Sequence, residues 1–138
     1  MLRAILKGQI DGFERRYGYD ASYMRDLLDA NPWALVRFIF VTQLAQQKGA
    51  PLAATAAAGI VATLHEDCGP CTQIGVDLAL EKGLSPEILR AILADDEAGM
   101  GEDARLGYAF ARASIVRDLE AAAPLRDEIL RRWGKAGR

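Results

Sequence analysis

The chain is poor in the residues that usually announce chemistry: 138 residues contain two cysteines, one histidine and two tryptophans. Thiol or imidazole chemistry is therefore confined to one stretch, Leu64-His65-Glu66-Asp67-Cys68-Gly69-Pro70-Cys71. No second Cys or His pair exists elsewhere to close a structural zinc site. Aromatic residues make up 7% and the formal charge is -2, with no basic block outside Arg131-Arg132. Such a chain has neither the charge nor the stacking surface for nucleic acid. The longest uncharged run, roughly Gly49 to Leu64, is Ala- and Thr-rich and broken by Pro51. It is too short and too weakly apolar to span a bilayer, so no membrane partner is expected.

The start, Met1-Leu2-Arg3-Ala4-Ile5-Leu6-Lys7, carries charges inside its apolar stretch and lacks a small-residue cleavage site. It does not read as a secretory signal, which places the protein in the cytoplasm. In that reducing compartment a close cysteine pair is more often catalytic or metal-binding than a structural bridge. A 51% apolar and 26% charged composition is that of a soluble globular chain. Residues 1–138 are long enough for a core without staples and read most simply as a single domain.

Apolar residues recur at helical rather than strand spacing throughout. Leu2, Ile5, Leu6, Ile10, Phe13 and Tyr17 mark a first helix ended by Gly18. Asp20 then caps a short second one with Tyr23, Met24, Leu27 and Leu28 on its apolar side. After Asn31-Pro32, a face of Trp33, Val36, Phe40 and Leu44 runs to about Lys48. Leu52 to Glu66 is rich in small side chains, which let neighbouring backbones come close. From Pro70 a pattern of Cys71, Ile74, Leu78 and Leu80 runs to Gly83, a C-terminal cap after Lys82. Ser85-Pro86-Glu87 is a helix start with a capping side chain, Pro in the first turn and an acid. Asp95 to Gly101 reads as an acidic, solvated connector. Leu106 to Leu119 carries a long helix, and Pro124 opens a last one. The expected fold is an all-α bundle of about seven helices.

The Gly-Pro pair interrupts one helix and can open the next. Pro is tolerated in a first turn, where its missing N–H would have had no partner. Cys68 then stands at or just before a helix N-terminus, with Cys71 one turn in. Free N–H groups and the positive end of the helix dipole favour an anion there, so a thiol ionises more readily. Two other readings stay open: small buried hydrophobes, and a zinc site of His65, Cys68 and Cys71 with Glu66 or Asp67.

Cys-Gly-Pro-Cys is the active-site spelling of thioredoxin, but here an Ala-rich helix and His65-Glu66-Asp67 precede it, with no strands for that fold. From roughly Pro32 to Leu93 the order of elements resembles the alkylhydroperoxidase D and carboxymuconolactone decarboxylase superfamily. The resemblance rests on a small-residue helix, Glu66-Asp67, Cys68 and Cys71, a helix to Gly83, and Leu84-Ser85-Pro86-Glu87 before another helix. It implies an all-helical fold with Cys-x-x-Cys on a central helical hairpin, and homo-oligomers. It further implies a thiol-dependent oxidoreductase that reduces a small-molecule hydroperoxide or a redox partner's disulfide, with no cofactor and no metal. Two positions depart from the pattern: the His four residues after the second cysteine is Gly75, and the Glu about twelve residues before the first is Ala56.

The candidate catalytic residues are therefore Cys68, Cys71, Glu66 and His65, the last two as replacements for the missing proton relay. For His65 the alternative is a helix-end side chain bonded to a carbonyl. For Glu66 and Asp67 it is solvation, with Asp67 capping the second helix. Gln73 is close enough in sequence to donate near the site. A decarboxylase-like lyase would instead need an anion anchor such as Arg37, and a third reading is a non-catalytic helical assembly module. Beyond Trp133-Gly134 we expect either further apolar sequence or cover from a partner chain.

Overall fold

The computed structural model describes residues 1–44 and 49–135. Among them every regular element is a helix: α1 Leu2–Tyr17, α2 Ser22–Ala30, α3 Pro32–Leu44, α4 Leu52–His65, α5 Gly69–Glu81, α6 Pro86–Leu93, α7 Glu102–Ile115 and α8 Leu119–Trp133. The all-α expectation holds, with eight helices among the described residues where about seven were expected. No described helix is long and apolar enough to cross a membrane. The chain divides into two compact units, Met1–Gln46 and Gln47–Arg138.

In the first unit α1, α2 and α3 close around Leu6, Ile10, Ala21, Leu28 and Leu35. Gly18 ends α1 in the left-handed conformation, as its position predicts. The N-cap of α2 is Ala21, one residue later than expected, while Asp20 Oδ1 accepts the N–H of Ser22. Arg25 of α2 reaches back to α1, donating to Asp11 at 2.6 Å and to Glu14, whose carboxylate also accepts the Ala21 N–H at 3.0 Å. These bonds hold both carboxyl groups below the usual carboxylate range. On α3 the expected apolar face is corrected. Leu35, Val36 and Ile39 turn to the core while Trp33 and Phe40 are exposed, because α3 is apolar on every side and spacing alone does not choose its buried face. Its expected continuation to Lys48 lies outside the described residues.

The second unit is built on α4, which packs against α5, α6 and α7, while α7 also carries α8. Its core holds Ala57, Ile60, Val61, Leu89, Ile92, Met100 and Tyr108. The small side chains of α4 act as the sequence implies: a Cβ at Gly107 of α7 would lie 2.3 Å from the Ala54 carbonyl oxygen. On α5, Ala79 is buried while Leu78 and Leu80 are exposed, so the wider apolar pattern there overstates the core face.

Four of the five described helices in this unit end by one rule. After α4, α5, α6 and α7 comes a left-handed residue, Asp67, Gly83, Asp95 or Arg117. The next N–H then returns to the carbonyl five residues before it: Cys68 to Thr63 at 3.0 Å, Leu84 to Ala79 at 3.0 Å, Asp96 to Ala91 at 2.9 Å and Asp118 to Ala113 at 2.9 Å. This doubly bonded ending satisfies carbonyls the helix leaves over. It also corrects the C-terminal boundary. Leu119 opens α8 instead of closing the preceding helix, and Pro124 lies inside α8, because Asp118 supplies the cap six residues before the proline.

The segment from Asp95 to Gly101 is exposed apart from Met100, as a solvated connector would be, and its first residue also makes contacts of its own. The Tyr108 hydroxyl donates to Asp95 Oδ1 at 2.7 Å, and Arg112 donates to the same carboxylate at 3.1 and 3.2 Å. Burial, then the Asp95 bond, raises the Tyr108 pKa.

Candidate active site

The returning bond that ends α4 leaves Cys68 in two roles at once. Its N–H closes α4 on Thr63, and its side chain is the N-cap of α5. Pro70 is the second residue of α5, where no N–H is missed. Cys71 is the third, and its N–H donates to Cys68 Sγ at 3.3 Å. The two sulfurs are bonded, with Cα atoms 5.2 Å apart.

The junction between α7 and α8 is built the same way and shows what the sulfur replaces. There Asp118 closes α7 through its N–H and caps α8 through its carboxylate, which accepts the Ala121 N–H at 3.0 Å. Cys68 thus occupies a position that a carboxylate fills at the sister junction. An anion is stabilised at such a place by the free N–H groups and the helix dipole. Cys68, rather than Asp67, is the cap of α5; Asp67 instead takes the left-handed position with φ 51°.

A cavity of about 250 Å³ opens beside Cys68, walled by Thr63 and Leu64 of α4, by Asp67 between the two helices, by Gly69, Thr72, Gln73 and Val76 of α5, and by Leu93 of α6. Cys71 is not in its lining. Thr72 Oγ1 lies 2.9 Å from Thr63 Oγ1 and 3.1 Å from the Cys68 carbonyl oxygen, and the Thr63 hydroxyl donates to Ile60 O at 2.9 Å. Gln73 lines the cavity, and one hydrogen of its amide goes to Asp77 at 2.9 Å.

Of the sequence candidates, the structure brings Cys68 and Cys71 together and sets the other two apart from the sulfur cavity. His65, the last residue of α4, faces a different cavity of about 550 Å³, with Val61, Arg112, Ile115, Val116 and Asp118. Glu66 is the exposed C-cap of α4 and lines neither space. Among the described residues no three His, Cys, Asp or Glu side chains converge as metal ligands. Arg37 is exposed on α3 in the first unit. Thr63 and Thr72 were not read as site residues. The available signal was position, since Thr72 follows Cys71 directly and stands four residues after Cys68. Leu93 comes from another helix and leaves no local trace.

No protein-family model, curated protein or solved structure matches the chain.

Proposed function

We propose that the protein is a thiol-dependent oxidoreductase of alkylhydroperoxidase type, reducing hydroperoxides or partner disulfides through a Cys68–Cys71 dithiol/disulfide cycle. The observation that carries this reading is the double role of Cys68. Its sulfur caps α5, accepts the Cys71 N–H and lies within bonding distance of a second sulfur, and Cys68 itself lines a cavity.

Cys68 is the attacking thiol because the cap position favours its anion and because Cys68, unlike Cys71, lines the cavity. Its thiolate attacks the terminal oxygen of a hydroperoxide, the O–O bond breaks, and the departing alkoxide takes a proton from solvent. The resulting sulfenic acid is attacked by Cys71, which gives up its proton as the hydroxyl leaves as water, and the disulfide closes. A reduced partner dithiol then returns both electrons by exchange. With a partner disulfide as substrate, the same thiolate forms a mixed disulfide that Cys71 resolves.

Steady-state consumption of an alkyl hydroperoxide, coupled to a dithiol reductant, tests the reading with Cys68→Ser and Cys71→Ser. Both variants are expected to lose turnover. Consumption unchanged by both substitutions removes the proposal.

Homo-oligomerisation is part of the same reading and is supported by Trp33, Phe40 and Val41, three large apolar side chains exposed on α3. The cytoplasm supplies the reducing environment that the cycle needs.

A further inference from the structure

The cavity beside Cys68 contains one hydroxyl hydrogen with two acceptors. Thr63 spends its hydrogen on Ile60 O and so meets Thr72 as an acceptor only. Thr72 has a single hydrogen and stands within bonding distance of both Thr63 Oγ1 and Cys68 O. Whichever it serves, the other is left without it, so turning this hydroxyl elsewhere costs one bond that was already shared. The Cys68 carbonyl keeps a partner regardless, since the Thr72 backbone N–H reaches it at 2.9 Å.

None of the other side chains in the lining can do the same work as well. Asp67 as a carboxylate only accepts, and its charge opposes an anion. Gln73 is exposed and drawn along α5 by Asp77. Leu64, Val76 and Leu93 have nothing to donate.

We propose that the Thr72 hydroxyl is a catalytic hydrogen-bond donor to hydroperoxide, turning from Cys68 O and Thr63 to the oxygen that leaves as the Cys68 thiolate attacks. Negative charge develops on that oxygen as the O–O bond breaks, and a donor aimed there lowers the barrier. The hydroxyl lends a hydrogen bond and keeps its proton; the alkoxide is protonated by water. This assigns the cavity to an organic hydroperoxide whose body rests on Leu64, Val76 and Leu93, and it rests on the dithiol reading above.

The test compares two reactions of the same thiol, only one of which expels an oxygen. Reduced protein is treated with tert-butyl hydroperoxide, following disulfide formation, and separately with iodoacetamide, following alkylation of Cys68. Thr72→Val is expected to slow oxidation by about tenfold to a hundredfold, the worth of one hydrogen bond to a charged oxygen, while alkylation stays within about twofold of the parent. Thr72→Ser is expected to restore oxidation, and Thr72→Ala serves as a second deletion if valine disturbs the fold. Oxidation at the parent rate in the Val and Ala variants overturns the assignment. So does an equal fall in both reactions, which marks a loosened junction of α4 and α5, or a loss found in Gln73→Leu instead. If the parent protein is alkylated but never oxidised, the dithiol peroxidase reading falls first and takes this one with it.

Discussion

Gly107 of α7 passes so close to Ala54 of α4 that a Cβ there would stand 2.3 Å from the Ala54 carbonyl oxygen and 2.8 Å from its carbonyl carbon and Cα. Backbone cannot yield as a flexible side chain can. Gly107→Ala is therefore expected to destabilise the protein by about 3 kcal/mol, the upper part of the range for overpacking. Gly75→Ala is the control: its Cβ meets only Ile60 Cγ1 at an ordinary 3.8 Å, so better helix propensity is expected to raise stability by about 0.5–1 kcal/mol. Urea denaturation of the two variants decides both.

Asp118 and Cys68 hold equivalent places, and exchanging their chemistry separates capping from redox function. Asp118→Ala removes a cap and is expected to cost about 1 kcal/mol. Cys68→Asp puts a better capping group at the α5 N-terminus. It is expected to keep the far-ultraviolet helix signal and to abolish turnover, whereas joint loss of fold and activity would make the disulfide a structural staple.

Asp67 and Cys68 line the same cavity. Repulsion by the Asp67 carboxylate opposes the thiolate, so Asp67→Asn, which keeps a residue tolerant of the left-handed conformation, is expected to raise the alkylation rate of reduced Cys68 by about threefold at neutral pH and low salt. An unchanged or lower rate would mean that the carboxylate does not act on the sulfur.

In the first unit Asp11 and Glu14 are held below their usual range chiefly by hydrogen bonds from Arg25. Groups with depressed folded values stabilise fully above the unfolded carboxylate range, and that contribution drains away as pH falls through the folded values. Stability of the parent is thus expected to decline with acid below about pH 4.5. Arg25→Gln is expected to start lower at neutral pH and to show a flatter decline. Urea midpoints measured across that interval check the slope.

What was legible in the sequence was what local chemistry dictates. Ser85-Pro86-Glu87 opens α6 as read, with the Ser85 hydroxyl accepting the Ile88 N–H, and Gly83 follows α5 with φ 89°. Pro70 placed the two cysteines at the start of a helix because a proline is best tolerated in a first turn. The α7–α8 boundary was not legible, since Ile115, Val116 and Leu119 keep helical spacing across the break although Val116 and Leu119 are exposed. The break lies in Arg117, a residue that does not advertise a left-handed turn. His65 and Glu66 were read by nearness to Cys68 along the chain. Helix geometry sends His65 to the second cavity and leaves Glu66 outside both, while Thr63 and Thr72 arrive from two helices to share one hydrogen.

The central claim, that the two sulfurs alternate between thiols and a bond in a working cycle, is tested most directly by mass spectrometry after a stoichiometric pulse of hydroperoxide. Reduced protein is alkylated before and after the pulse. The account predicts that before it both cysteines take the label, and after it neither does, with the loss of two hydrogens and recovery of both labels on adding a dithiol. Both thiols still open to alkylation after the pulse, in protein whose helices are intact, would contradict it.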